Sequence, residues 1–120
     1  MPRTVLRYAA NGASQWGVQF GERIAPLGVD AASTGELLAR HWQRIWSVAP
    51  ALATLHRDSV RLLSPVTPNQ QFICQGVNYR SHVKESGLRV EDFPFNTLFT
   101  KAPSCITAAD APVVRPRQVE

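Results

Sequence analysis

The chain is short of cysteine, of long apolar runs and of carboxylates, and each shortage narrows what it can be. It has two cysteines in 120 residues, Cys74 and Cys105, with no Cys-x-x-Cys and no histidine at zinc-binding spacing. That pattern is neither a disulfide framework nor a metal motif; two buried, reduced thiols in a cytoplasmic protein are expected. No apolar stretch approaches the roughly 18 residues of a membrane span, and Met1-Pro2-Arg3-Thr4 lacks the apolar core of a signal peptide. A membrane role is therefore not expected. Nine acidic residues face thirteen Lys and Arg, giving a formal charge of +4 and a pI near 9.7. The arginines are spread singly, from Arg3 to Arg117, and no run of like charge builds a stripe. A phosphate-binding surface needs several cations within about 10 Å, so nucleic acid is not an expected partner.

What is present suffices for a core: 44% of the residues are hydrophobic and three are tryptophan. Thr4–Tyr8 alternates weakly, Asn11-Gly12 is a strong hairpin signal, and Gln15–Phe20 alternates again with Trp16, Val18 and Phe20 on one face. Gly21-Glu22 turns the chain into Arg23-Ile24-Ala25, so residues 4–27 read as a three-stranded meander, with Trp16 in the core. Ser33 and Glu36 make a capping box. Behind it Leu37, Leu38, Trp42, Ile45 and Trp46 recur at three- and four-residue steps, an amphipathic helix whose stripe should face the core. His41 sits at the border of that stripe as a helix-surface histidine. Pro50 ends the helix or starts a short second one. Residues 60–63 read as a strand, and Ser64-Pro65-Val66-Thr67-Pro68-Asn69 as a stiff linker. The division expected is a leading small domain, 1–64, and a second domain beginning at 65 and running to 120.

The second half is organised around Phe72–Ser104. Phe72-Ile73-Cys74 reads as a short buried strand, broken by Gly76 and Asn78, after which Tyr79–Glu85 has helical spacing. His82 and Glu85 fall three apart on one helix face, and a histidine oriented by a carboxylate is the usual construction of a general base at neutral pH. Arg89–Asn96 reads as a loop able to close over a site, Thr97–Thr100 as a strand, and Pro112–Val114 as a last strand. Asn78 suits a left-handed turn, Tyr79 a packing role, and Lys101 a solvated surface.

The run Gly76-Val-Asn-Tyr-Arg-Ser-His-Val-Lys-Glu-Ser-Gly87, followed by Leu98-Phe-Thr-Lys-Ala-Pro-Ser104, resembles the fumarylacetoacetate hydrolase family. Its members are metal-dependent hydrolases, decarboxylases and isomerases acting on 2-oxo and 1,3-dicarbonyl acids. The match is two ordered blocks with the expected gap; it covers the second half of the chain, and the first half fits loosely as a variable leading region. The resemblance implies an α+β protein in which a leading β-meander plus helix precedes the start of a mixed β-roll. It implies His82 and Glu85 as the catalytic pair, positioning and deprotonating a water, and Lys101, Tyr79 and Asn78 as substrate-binding groups. It implies Mg²⁺ or Mn²⁺ in the complete protein, a small dicarbonyl acid as substrate, a homodimer, and carbon–carbon bond hydrolysis or the related decarboxylation or isomerisation. Family members continue into an acidic D-Y-E-x-E-L type block that supplies most metal ligands. Nothing here matches it; Glu120 falls just short of its place, which also accounts for the basic balance. No metal ligand is therefore assigned in this chain and no cofactor is expected for it alone. The alternative expectation is a shortened chain without an intact metal site, inactive alone, serving as a binding or assembly piece. Either way, unpaired apolar edges are expected around Phe72–Val77 and Leu98–Phe99.

Overall fold

The computed structural model describes residues 3–77, 79–92 and 97–117. It divides into two compact units, one running to Thr67 and taking up the segment from Ile106, the other spanning Pro68–Cys105. The sequence division stood at 64/65; the units part three residues later, and the chain returns to the first after Cys105. The class is α+β.

The first unit is built on an antiparallel meander. Strands β1 (Thr4–Ala10), β2 (Ala13–Phe20) and β3 (Arg23–Pro26) follow one another through tight turns. Asn11 and Gly12 both take positive φ, as a two-residue hairpin loop of matching twist requires, and this sets the register Thr4↔Gln19 through Ala10↔Ala13. Two short strands, β4 (Leu55–His56) and β5 (Arg61–Leu63), complete a five-stranded sheet in the order β4-β3-β2-β1-β5. One face carries Trp16, Val18 and Ala25, and helix α1 (Thr34–Ser47) supplies Leu37 and Ile45, joined by Val48, to cover it. Trp16 is in the core as expected, with its indole N–H donating to the Ala31 carbonyl at 2.8 Å. The other face carries Leu6, Tyr8 and Ile24, flanked by Leu55, Val60 and Leu62. Burial pushes the Tyr8 phenol above its ordinary range, and its hydroxyl meets Gln15 Oε1 at 3.0 Å.

The start of α1 follows its sequence. Ser33 Oγ accepts the Glu36 N–H at 3.1 Å, and the Glu36 carboxylate reaches back to the Ala32 N–H at 3.0 Å. Farther along, one expectation needs correction. Of the five apolar residues in the expected stripe, only Leu37 and Ile45 are buried; Leu38, Trp42 and Trp46 are exposed. Leu37 and Ile45 lie on one row of the helix, while Leu38, Trp42 and Trp46 form the next row, about 100° round the axis. The small sheet covers only the first row. His41 breaks the helical geometry, with φ −123° and ψ 17°, so α1 is kinked at mid-length.

Other local readings stand or shift for simple reasons. Val48 caps α1 in an extended conformation and Pro50–Leu52 forms one separate 3₁₀ turn, with Pro at its start where no N–H is needed. Pro112–Val114 is not a strand. Among the described residues it pairs with no strand, Pro112 has no N–H to give a ladder, and Val113 and Val114 stand in solvent. Both cysteines are free thiols, but Cys74 is only half buried and Cys105, closing the turn Pro103–Cys105, is exposed.

The second unit holds a two-stranded antiparallel ladder of β6 (Phe72–Gly76) and β7 (Thr97–Lys101), and a short helix α2 (Arg80–Glu85). Ile73, Leu98 and Phe99 are exposed on that ladder, so β6 is not the buried strand expected: among the described residues it has β7 alone as a partner and no second layer covers it.

Gly17 is a point of close approach in the sheet. A Cβ there would lie 2.5 Å from Ile24 Cγ2 and 3.1 Å from both the Ala25 carbonyl oxygen and Tyr8 Cε1. Ile24 and Tyr8 are fully buried and cannot swing away. Gly17→Ala is expected to destabilise the chain by about 1–3 kcal/mol, as overpacking does, read as a lower urea midpoint. An unchanged midpoint would show that the β2–β3 contact is looser than this geometry requires.

Candidate active site

The candidate site grows out of the turn between β6 and α2. The strand ends at Gly76, and Val77 then takes φ +51°, the left-handed region that β-branched residues avoid. Tyr79 returns to an extended conformation as the residue before α2, without a side-chain capping bond, and its ring is exposed. Asn78, expected to take the left-handed conformation, lies outside the described residues. Among those described, the role falls to Val77.

Helix α2 is only six residues long, so its ends decide its stability. Its C-terminus is closed by Gly87 at φ +71°, with the Gly87 N–H on the Lys84 carbonyl at 3.0 Å and the Leu88 N–H on the Val83 carbonyl at 3.1 Å. These two bonds form a complete Schellman motif, which only a glycine accommodates without cost. The inward face of α2 is set by Val83, its one buried residue. His82 and Glu85 lie about 100° and 160° round the helix from Val83 and about 60° from each other. Both therefore point to solvent from the same side, with Cβ atoms about 5–6 Å apart. Among the described residues no hydrogen bond or ion pair joins His82 to Glu85.

Lys101 is held differently. It closes β7 opposite Phe72, whereas the end of the ladder that leads into α2 pairs Gly76 with Thr97. Four residue steps at about 3.3 Å each place it about 13 Å along the strands from that end. The ladder thus brings His82, Glu85 and Tyr79 to one short segment and sets Lys101 at the opposite end. The loop expected to close over the site is described in part: Val90–Asp92 forms one 3₁₀ turn, with Arg89 Nε 3.4 Å from Glu91 Oε2, and residues 93–96 lie outside the description.

The divalent cation implied by the family resemblance requires about six oxygens, several of them carboxylates. Among the described residues no group of three or more His, Cys, Asp or Glu could hold a metal ion. Glu91 and Asp92 are neighbours on one turn, and the residues described do not fit a metal site. The cavities along β5, lined by Arg57, Leu62 and Asp110, belong to the first unit.

Comparison with known proteins bears on this segment directly. Residues 71–120 match the model of the fumarylacetoacetate (FAA) hydrolase C-terminal domain. The second half of the chain is thus similar to the fumarylacetoacetate hydrolase family. It is 36% identical over 72 residues to the mitochondrial oxaloacetate tautomerase FAHD2A of Homo sapiens and 33% identical over 70 residues to that of Rattus norvegicus. These matches cover 60% and 58% of the chain but 22% of either relative. The fumarylacetoacetate hydrolase of the psychrophile Exiguobacterium antarcticum superposes with a TM-score of 0.62 at 32% identity, over 88% of this chain and 38% of that one. The fold is therefore that of a fumarylacetoacetate hydrolase-type fragment, its leading meander and helix included. The relatives are named as enzymes, a tautomerase and a hydrolase. No helix among the described residues is long and apolar enough to cross a membrane.

The residue that sequence reasoning missed is Val77. Its neighbours Gly76 and Asn78 are the types that favour turns, and nothing about a valine signals a left-handed backbone. Holding it there costs on the order of 1–3 kcal/mol. Val77→Asn, which tolerates this conformation, is expected to stabilise the chain by about 1 kcal/mol in urea unfolding. A loss of stability instead would mean that packing of the half-buried valine outweighs the strain.

Proposed function

We propose that the chain carries the proton-transfer helix of an enzyme acting on 2-oxo or 1,3-dicarbonyl acids. The observation that carries this reading is the placement of His82 and Glu85 on the solvent side of α2, within the segment matched by the family's domain model. The relatives' names describe two reactions, oxaloacetate tautomerisation and fumarylacetoacetate hydrolysis. Both need a proton moved at a carbon or oxygen beside a carbonyl. In a tautomerisation, His82 takes the proton from the enol hydroxyl or the carbon and returns it to the other atom, while Glu85 holds the imidazolium form. In a hydrolysis, the pair removes a proton from water as its oxygen attacks the carbonyl. The carbon–carbon bond then breaks with its electron pair passing to the leaving carbon, which is protonated by the imidazolium. Tyr79 and Asn78 are the proposed groups for the substrate's carbonyl and carboxylate oxygens; Lys101, at the far end of the β6–β7 ladder, is left out of this set.

A second reading is a binding or assembly piece that is inactive by itself. Following the decay of enol-oxaloacetate by its ultraviolet absorbance, with and without added Mg²⁺ or Mn²⁺, separates the two. His82→Ala and Glu85→Gln should each slow turnover by about 10², with unchanged far-ultraviolet circular dichroism. Turnover equal to the unsubstituted chain's would remove the two side chains from the proton work. A rate for the unsubstituted chain no faster than buffer would support the second reading.

A further inference from the structure

Two cavities adjoin along β5, both within the first unit. One, of about 380 Å³, has mostly polar walls: Arg57, Asp58 and Asp110 line it together with Val60 and Leu62. The other, of about 270 Å³, shares Leu62 and Asp110 and is mostly apolar, lined further by Ala108, Ala111, Pro112 and Arg61. The backbone fixes where the charges of the first cavity stand. Arg57 opens a 3₁₀ turn (Arg57–Ser59), with its N–H donating to the Glu22 carbonyl at 2.9 Å and Ser59 Oγ donating to the His56 carbonyl at 2.6 Å. Asp110 lies in a turn closed by the Ala111 N–H on the Ala108 carbonyl at 3.3 Å.

Opposite charges on the walls of one cavity are free to pair, yet no nitrogen of Arg57 comes within 4 Å of either carboxylate. Among the described residues, the Arg57 and Asp110 side chains have no hydrogen bond or ion pair. Asp58 Oδ2 lies 3.8 Å from His56 Nδ1, but that nitrogen accepts the Asp58 N–H at 3.3 Å and so brings no proton to the carboxylate.

We infer that the two cavities form a site for a small zwitterion, an α-amino acid with an apolar side chain. A ligand that carries both charges satisfies both walls at once: its carboxylate pairs with the Arg57 guanidinium and its ammonium with Asp110, beside Asp58. Because Asp110 belongs to both cavities, a side chain branching from the carbon next to the ammonium enters the apolar one, against Leu62, Ala111 and Pro112. Other small ligands fit less well. A phosphate or a dicarboxylate would set charge against Asp58 and Asp110, and a simple amine would leave Arg57 without a partner. A metal ion would need a larger cluster of ligands than the described residues hold.

The test is an amide NMR titration of the intact chain with L-leucine. Saturable shifts confined to residues 57–62 and 108–112 are expected, with a Kd below about 1 mM. Three analogues, each lacking one part of the ligand, should bind at least about tenfold more weakly: 4-methylpentanoate without the ammonium, 3-methylbutylamine without the carboxylate, and glycine without the side chain. Arg57→Gln and Asp110→Asn remove side chains that have no partner in the chain, so both should keep the circular dichroism spectrum and lose at least tenfold in leucine affinity. No saturable shifts with leucine, shifts centred elsewhere, analogues that bind as well as leucine, or undiminished binding by the folded variants would each overturn the inference.

Discussion

The contact on which the first unit depends is the close passage of β2 against Ile24 and Tyr8 at Gly17. A side chain there would overlap Ile24, so the absence of one lets two fully buried residues meet across the middle strand. That meeting holds β3 in register with β2, from Gly17↔Pro26 to Phe20↔Arg23. It thereby places Val18 and Ala25 side by side on the opposite face, where α1 lies down on them. Because side chains alternate along a strand, a slip of one residue would exchange the two faces and leave α1 without an apolar floor.

The size of this sheet also settles what α1 can bury. A helix of this kind has two adjacent apolar rows, and a sheet whose outer strands are two and three residues long covers one of them. The row containing Leu37 and Ile45 takes the core. The row containing Leu38, Trp42 and Trp46 is left in water, ordered by ring contacts and by Arg3.

In the second unit the governing constraint is the backbone. A strand must hand the chain to a six-residue helix, which is too short to be stable alone. The helix is closed at one end by the Gly87 cap and entered at the other through the left-handed Val77. Strain of this kind persists only where the surroundings enforce it, and here it stands immediately before the residues that the family resemblance brings into focus. Val83 turned inward is what leaves His82 and Glu85 together on the wet side.

Much of this was legible in the residues themselves. Asn11-Gly12 specifies its hairpin because few other pairs accept two positive φ values, and Ser33 with Glu36 specifies the start of α1 because their side chains satisfy its free N–H groups. The ordered blocks around His82 and Lys101 carried the family resemblance, and helical spacing alone put His82 and Glu85 on one face. These are local determinations, in which the atoms that decide lie within a few residues of each other. What only the tertiary structure decided is non-local: which of α1's two apolar rows meets the sheet, whether Pro112–Val114 finds an edge to pair with, and how far along the β6–β7 ladder Lys101 stands from α2. It also decided that a valine bears the left-handed turn. Composition cannot rank two equally apolar rows or supply a strand with a neighbour, because burial and pairing are properties of surfaces that exist only once distant segments have met.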